Sequence, residues 1–219
     1  YKTAGYKFDD FAIVGPAGYY NYLLAVHNSV GAKSVKDLVA YAKANPGKLN
    51  YGSGGRGSST HLAAEYFKSV AGVDIVHVAF KGAGDAVNGV LSNAVQLLIA
   101  APPTVIGQVQ GQSLTALAVT SPTRSPAMPD VPTTKEAGLP DYVVENWFGL
   151  MAPKGTSEDI INWLQSNIAK AISPSDVKDK LFAQGATGIA STPADAARLV
   201  RDDTALWGRV ISNAKIQSE

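Results

Sequence analysis

Short apolar runs rich in β-branched and aromatic residues alternate with longer stretches carrying apolar side chains on one helical face. Such alternation folds as helices packed on a mainly parallel sheet, because each helix supplies the crossover that returns the chain to the same edge. The expected strands are Phe11–Gly15, Tyr22–Val26, Leu49–Tyr51, Ile75–Ala79, Val95–Ala100, Leu114–Val119, Tyr142–Met151 and Ala186–Ile189. Ser34 with Asp37 opens a helix that Pro46-Gly47 closes. Ser58 to Gly72 forms the next, with Leu62, Tyr66, Phe67 and Val70 as its apolar face, and Asp85–Leu91 is a shorter one. Thr133 with Glu136 caps a turn that stops at Gly138. A long Pro-rich connection, Ser121–Pro132, separates the strand-rich middle from a mostly helical last third.

In that last third, Ser157 to Ile172 places Ile160, Ile161, Leu164 and Ile168 on one face. Ser173-Pro174 restarts a helix with proline at the first helical position. Thr192-Pro193 with Asp195 begins the last helix, whose stripe is Ala196, Leu199, Val200, Leu206, Val210 and Ile211. Trp147 and Phe148 fall in a strand-like run, while Trp163 and Trp207 sit on helices and read as core. With 219 residues, 46% of them hydrophobic and 17% charged, one large or two small domains can bury a core.

The segment that carries chemistry is "LNYGSGGRGSSTHLAAEYF", where Gly52, Gly54 and Gly57 stand at G-x-G-x-x-G spacing between a strand end and a helix start. Glycines there let a ligand approach main-chain N–H groups, and the helix start adds unpaired donors and partial positive charge. Ser58, Ser59 and Thr60 add hydroxyls at the same point. The segment therefore reads as an anion site, with a tight structural turn, a dinucleotide and a small carboxylate all open. A dinucleotide needs an acidic residue at the end of the following strand to hold the ribose. Asp74 precedes that strand and lies at the wrong end of the sheet, while Lys81, at the correct end, suits a phosphate and not a diol. Ser58 stands where a phosphate-binding P-loop requires lysine. Three crowded hydroxyl side chains suit a small carboxylate better than a pyrophosphate.

A second strand-to-helix turn, Phe80-Lys81-Gly82, repeats the arrangement, with Phe80 offering a flat apolar wall. A third strand end, Ala100-Ala101-Pro102-Pro103-Thr104, falls at the same edge. Catalytic groupings are missing. His61 and Glu65 share a helical face without a third metal ligand, and His61 reads as packed behind the glycine loop. His27 and His77 lie in or beside strands, no G-x-S-x-G elbow occurs, and cysteine is absent. Donors and apolar walls without an acid–base pair favour binding over chemistry, with no cofactor and no metal. Nineteen basic against 18 acidic residues, mixed along the chain, leave no basic face for nucleic acid. No apolar run approaches the ~20 residues that span a bilayer. Tyr1 opens in polar and aromatic sequence without the apolar centre of a signal peptide, which leaves a cytosolic chain and a processed exported one both open.

The stretches "NYGSGGRGSSTHLAAEYFKSVAGVDIVHVAFKGAG", "LTALAVTSPTRSPAMPDVPTTKEAGLPDY" and "WFGLMAPKGT" resemble, in order and over essentially the whole chain, the Bug family of tripartite tricarboxylate transporter receptors. The resemblance implies an α/β fold of the type II periplasmic binding protein kind, with two α/β domains closing over a small organic carboxylate. It also implies a periplasmic location, delivery of the ligand to integral membrane permease subunits, and no enzyme activity. Carried over by position, Ser53, Gly54, Gly55, Gly57, Ser58, Ser59 and Thr60 would be the second domain's carboxylate clamp, and Phe80, Lys81 and Gly82 the turn beside the ligand. Ala101 stands where family members often carry aspartate, so a polar contact is lost there, and Asn93 replaces a glycine in a turn. The family pattern opens with a strand and a Pro-Gly-Gly loop bearing aspartate, and nothing of that kind precedes Tyr1. On this reading residues 21–142 are the complete second domain, and 1–20 with 143–219 are what remains of an incomplete first domain, whose exposed edge invites self-association. The competing readings are an NADP-dependent enzyme using the glycine loop and a truncated interaction module without ligand binding.

Overall fold

The computed structural model describes residues 5–216, with the exception of the Pro193 side chain. Tyr1, the rest of 1–4 and the end of the chain at 217–219, which belong to the expected first domain, lie outside the described residues. The chain divides into two compact units, one from Tyr1–Tyr20 and Trp147–Glu219, the other from Asn21–Asn146.

The Asn21–Asn146 unit is built on a five-stranded sheet. Its strands are β2 (Leu23–His27), β3 (Asn50–Ser53), β4 (Val76–Ala79), β5 (Leu97–Ala100) and β6 (Leu114–Val119), in the order β4-β3-β5-β2-β6. Helices α1 (Val35–Ala44), α2 (Ser59–Ala71), α3 (Ala83–Leu91) and α4 (Pro102–Gln110) connect them. β3 pairs in parallel with both β4 and β5, whereas β2 is antiparallel to both β5 and β6. The sheet is thus mixed, not simply parallel. The four strands that follow a helix share one direction, as crossover connections require. β2, which no helix precedes, runs against them. β5 is buried at every position, as expected for a strand with both faces covered. Leu23, Leu98, Val90 and Val105 meet in the core that α3 and α4 close.

Local sequence accounts for most helix ends. The Ser34 hydroxyl accepts from the Asp37 amide at 3.1 Å, and Asp37 Oδ2 accepts from Lys33 N at 3.1 Å; hydrogen bonding from the Ser34 side chain, then from the Lys33 amide, holds that carboxyl below its usual range. Gly72 ends α2 in the left-handed conformation, φ 61°. Asn93 takes φ 60°, a backbone state that asparagine tolerates better than other non-glycine residues. The buried side of α2 is His61, Ala63, Ala64, Phe67 and Ala71, so of the expected face Phe67 is buried while Leu62, Tyr66 and Val70 are half-buried. α4 was not foreseen from sequence, because two consecutive prolines read as a strand end. They occupy the first helical turn, where the missing N–H groups would have had no intrahelical partner.

A buried polar brace ties the end of β6 to the segment that follows it. Thr120 Oγ1 accepts from Tyr22 N at 2.9 Å and donates to the Val144 carbonyl at 2.6 Å. Thr134 Oγ1 donates to Tyr142 O, and the Tyr142 hydroxyl donates to the Ala63 carbonyl of α2 at 2.8 Å. Thr120 is fully buried, so its replacement by valine strands two main-chain groups away from water. Thr120→Val is expected to cost about 3 kcal/mol, measured as a lowered urea unfolding free energy.

In the other unit, β1 (Phe11–Asn21) lies between β7 (Glu145–Pro153) and β8 (Ala186–Gly188). β1 and β8 are antiparallel with Gly18 opposite Gly188. β7 approaches β1 so closely that a Cβ on Gly149 would stand 2.4 Å from the Gly15 carbonyl. Helices α5 (Glu158–Ile172), α6 (Ser175–Ala183) and α7 (Pro193–Asn213) complete the unit, and Pro174 caps α6 from outside its first turn. Val14, Ala152 and Ile161 form its small core, with Leu164 and Ile168 against it. Ile160 and Trp163 turn away from this stripe and are 52% and 64% exposed, so Trp163 is not a core residue. The Trp147 indole N–H donates to Asp203 Oδ2 at 2.6 Å, and burial raises the Asp203 carboxyl above its usual range. Among the described residues no helix is long and apolar enough to cross a membrane.

Candidate functional site

β3, β4 and β5 are adjacent and parallel, so their carboxyl ends, each followed by a helix, share one edge of the sheet. In open α/β sheets that edge is where ligands bind. Between Ser53 and α2 the glycine loop turns with Gly55 at φ 125° and Gly57 at φ 75°, both in the region that disfavours side chains. Ser58 is the cap residue of α2. Its hydroxyl donates to the Gly55 carbonyl at 2.7 Å and accepts from the His61 amide at 3.3 Å. Thr60 Oγ1 accepts from Gly54 N at 3.0 Å and lies 3.1 Å from Ser58 Oγ. Ser53 is buried, with Oγ beside both the amide and the carbonyl of Gly55.

The Ser53, Ser58 and Thr60 hydroxyls therefore shape the loop itself. Four of its amides also have internal acceptors: Gly54 in Thr60, Gly55 in Ser53, Gly57 in His61 and Ser58 in the Gly55 carbonyl. The donors that helix geometry leaves outward are the N–H groups of Ser59 and Thr60 in the first turn of α2. A second set stands at the start of α3. Gly82 caps that helix with no side chain, leaving the first-turn amides of Ala83, Gly84 and Asp85 without a capping oxygen. The two starts are brought together at Gly54, where an added Cβ would lie 3.3 Å from Ala83 N. Lys81 is exposed beside them.

Phe80 does not stand as an open wall. Its ring folds back onto α3 and β3, so that a Cβ on Gly89 would meet it at 2.4 Å and one on Gly52 at 3.3 Å. Gly52 serves this packing inside β3 and not a pyrophosphate. Ala101 caps α4 with no side-chain bond, Pro102 and Pro103 have no N–H, and the Thr104 amide and hydroxyl both turn back to the Ala101 carbonyl. The third helix start thus offers no donors. Asp74 lies at the opposite edge, its carbonyl accepting from Gly47 N at 3.0 Å, far along the strand from where a ribose would need it.

Behind the loop, His61 is packed as expected, 5% exposed, with Nδ1 accepting the Gly57 N–H at 3.0 Å. His77, on β4, stacks on it at 3.8 Å and reaches Ser53 Oγ with Nε2 at 2.6 Å. The strand alternation that puts Tyr51, Ser53 and His77 on one face was the available signal. Burial holds both imidazoles below their usual range, His77 at about 4 with its neighbour His61 as a further cause. Glu65 is engaged by the Tyr51 hydroxyl at 2.5 Å and by Lys68 at 2.9 Å, and burial followed by that carboxylate drives the Tyr51 hydroxyl far above its usual range. Among the described residues no three His, Cys, Asp or Glu side chains are grouped to hold a metal ion.

Residues 1–216 match the family model described as tripartite tricarboxylate transporter family receptor, TctC. Protein BugT of Bordetella pertussis is 34% identical over 203 residues, which cover 93% of this chain and 62% of BugT, so the chain spans less than two thirds of that relative. The solved structure titled R. palustris Rpa4515 with adipate superposes with a TM-score of 0.90 at 34% identity, covering 99% of this chain and 73% of that one. MatC from Rhodopseudomonas palustris with bound malate gives 0.84 at 28% identity, with 94% and 71% covered. The mixed α/β architecture is that of periplasmic solute-binding proteins, and the resemblance to Bug receptors holds. The chain belongs to the TctC family of tripartite tricarboxylate transporter receptors.

Proposed function

We propose that the protein is an extracytoplasmic receptor that captures a small organic carboxylate in the periplasm, without chemical conversion, and delivers it to integral membrane permease subunits. The observation that carries this reading is the meeting of two donor-rich helix starts at Gly54, with five first-turn amides at one corner of the sheet. A carboxylate oxygen accepts from such amides in charge-assisted hydrogen bonds, each contributing about 1.5–3 kcal/mol. Ser59, Thr60 and the Lys81-Gly82 turn are the contacts assigned to the ligand. Ser53, Gly54, Gly55, Gly57 and Ser58 give the loop its shape, Phe80 supports it from behind, and Ala101 lines the neighbouring donor-free corner. Family membership and relatives whose titles name adipate and malate support an organic acid as ligand.

Adipate is the first probe, measured by titration calorimetry. Saturable binding is expected, and Ser58→Ala combined with Thr60→Ala is expected to weaken it at least roughly tenfold, because the Gly54 and Gly55 main chain loses its braces. Unchanged affinity in the double variant would remove the clamp assignment. Heat and fluorescence responses to NADPH, with none to any organic acid, would return the glycine loop to a dinucleotide.

A further inference from the structure

The glycine loop rests on two imidazoles that the carboxylate grip does not use. His61 from the first turn of α2 and His77 from β4 lie with ring centroids 3.8 Å apart and planes 15° apart, and Tyr51 of β3 extends the stack at 4.9 Å from His77. Each imidazole reaches the loop through one nitrogen. His61 Nδ1 accepts the Gly57 N–H. His77 Nε2 lies 2.6 Å from Ser53 Oγ, the hydroxyl that also meets the Gly55 amide and carbonyl. The two contacts flank Arg56 and fix Gly55 and Gly57 at the positive φ values that aim the start of α2.

We propose that His61 and His77 are positioning residues that hold the glycine loop in its donor-presenting shape only while both are unprotonated, so that carboxylate capture weakens on acidification. This rests on the receptor reading for its ligand, while the loop geometry stands apart from it. A proton on His61 Nδ1 converts the acceptor of Gly57 into a donor facing a donor, and the loop must let go. Two imidazolium rings cannot share a 3.8 Å stack. The charged and titratable groups facing the pair are Arg56 of the loop, Glu65 and Lys68 of α2 and the Tyr51 hydroxyl of β3, and Glu65 is already shared by Tyr51 and Lys68. With the loop formed, burial lowers both imidazoles, His77 to about 4 against 6.5 when released. The formed loop therefore binds fewer protons than the released one, so it is fully favoured above pH 6.5 and loses ground as pH falls toward 4. The direction is diagnostic, because added positive charge beside an anion site would by itself strengthen binding.

The test measures adipate affinity at pH 7.0 and 4.5 for the wild-type protein and for His61→Asn, whose side-chain oxygen replaces Nδ1 but does not titrate. In parallel, NMR follows the Gly57 amide against pH without ligand. The wild type is expected to lose about fivefold more affinity than His61→Asn, as follows when the competent loop population falls to about a fifth. Comparing the two proteins cancels protonation of adipate itself. The Gly57 amide should shift with pH more strongly in the wild type than in the variant, where His77 alone titrates. Equal losses with an amide indifferent to pH overturn the proposal. An amide that titrates in a protein with no adipate binding at either pH upholds the positioning role and overturns the ligand reading. His61→Gln, which also offers a non-titrating side-chain oxygen to the Gly57 N–H, serves the same comparison should His61→Asn fail to fold.

Discussion

Replacing Gly54 with valine is expected to lower adipate affinity by about a hundredfold or more, the effect of losing one to two charge-assisted hydrogen bonds, with a smaller loss of stability. The position explains both halves of the expectation. An added Cβ stands 3.3 Å from Ala83 N and 3.5 Å from the Gly82 carbonyl carbon, both main-chain atoms that cannot swing aside. A branched side chain therefore covers the first amide of α3 and forces apart the two helix starts that meet there. Gly54 is only half-buried and does not take a positive φ, so the substitution adds no φ strain of its own, and the stability it costs is that of parting the two starts. Calorimetric affinity equal to wild type would show that the α3 amides take no part in binding.

Gly89→Val acts on stability instead. Gly89 is buried in α3, and a Cβ there meets Phe80 Cζ at 2.4 Å and Cε1 at 2.8 Å. The ring has no retreat, because its other edge lies against Gly52 of β3, whose added Cβ would be 3.3 Å from Cε2. Overpacking of this kind is expected to cost about 3 kcal/mol, well above the few tenths that removing a helical glycine returns. Denaturant unfolding measures it, and Phe80→Ala supplies the control. In the double variant the two losses are less than additive, because the space vacated by the ring accepts the valine. Full additivity would mean that Phe80 is not what Gly89 accommodates.

Much of this architecture was legible in the sequence where a local rule has one physical outcome. Ser34, Ser58 and Thr192 cap helices, Gly72 ends one, and Leu114–Val119 is a strand at the limits its apolar run sets. The glycine loop was correctly placed at a strand end because glycine, hydroxyl and helix signals coincide there. What escaped depends on partners distant in sequence. The reversed direction of β2 follows from its neighbours β5 and β6, which local pattern does not name. The hydroxyls of Ser58 and Thr60 read as ligand donors until the loop carbonyl and amide that hold them were in place. Trp163 stands off the Ile161, Leu164 and Ile168 face of α5 that packs on the core, which its aromatic character alone does not reveal.

The third helix start, where Pro102 and Pro103 hold no hydrogens on nitrogen, sets a chemical asymmetry at the rim of the sheet. If the proposed site takes a guest lying across that rim, charge at one end and hydrocarbon at the other would be rewarded. Molecules decorated with hydroxyls along their whole length would surrender hydration there and receive nothing back, so such a corner would filter metabolites by where their oxygens sit.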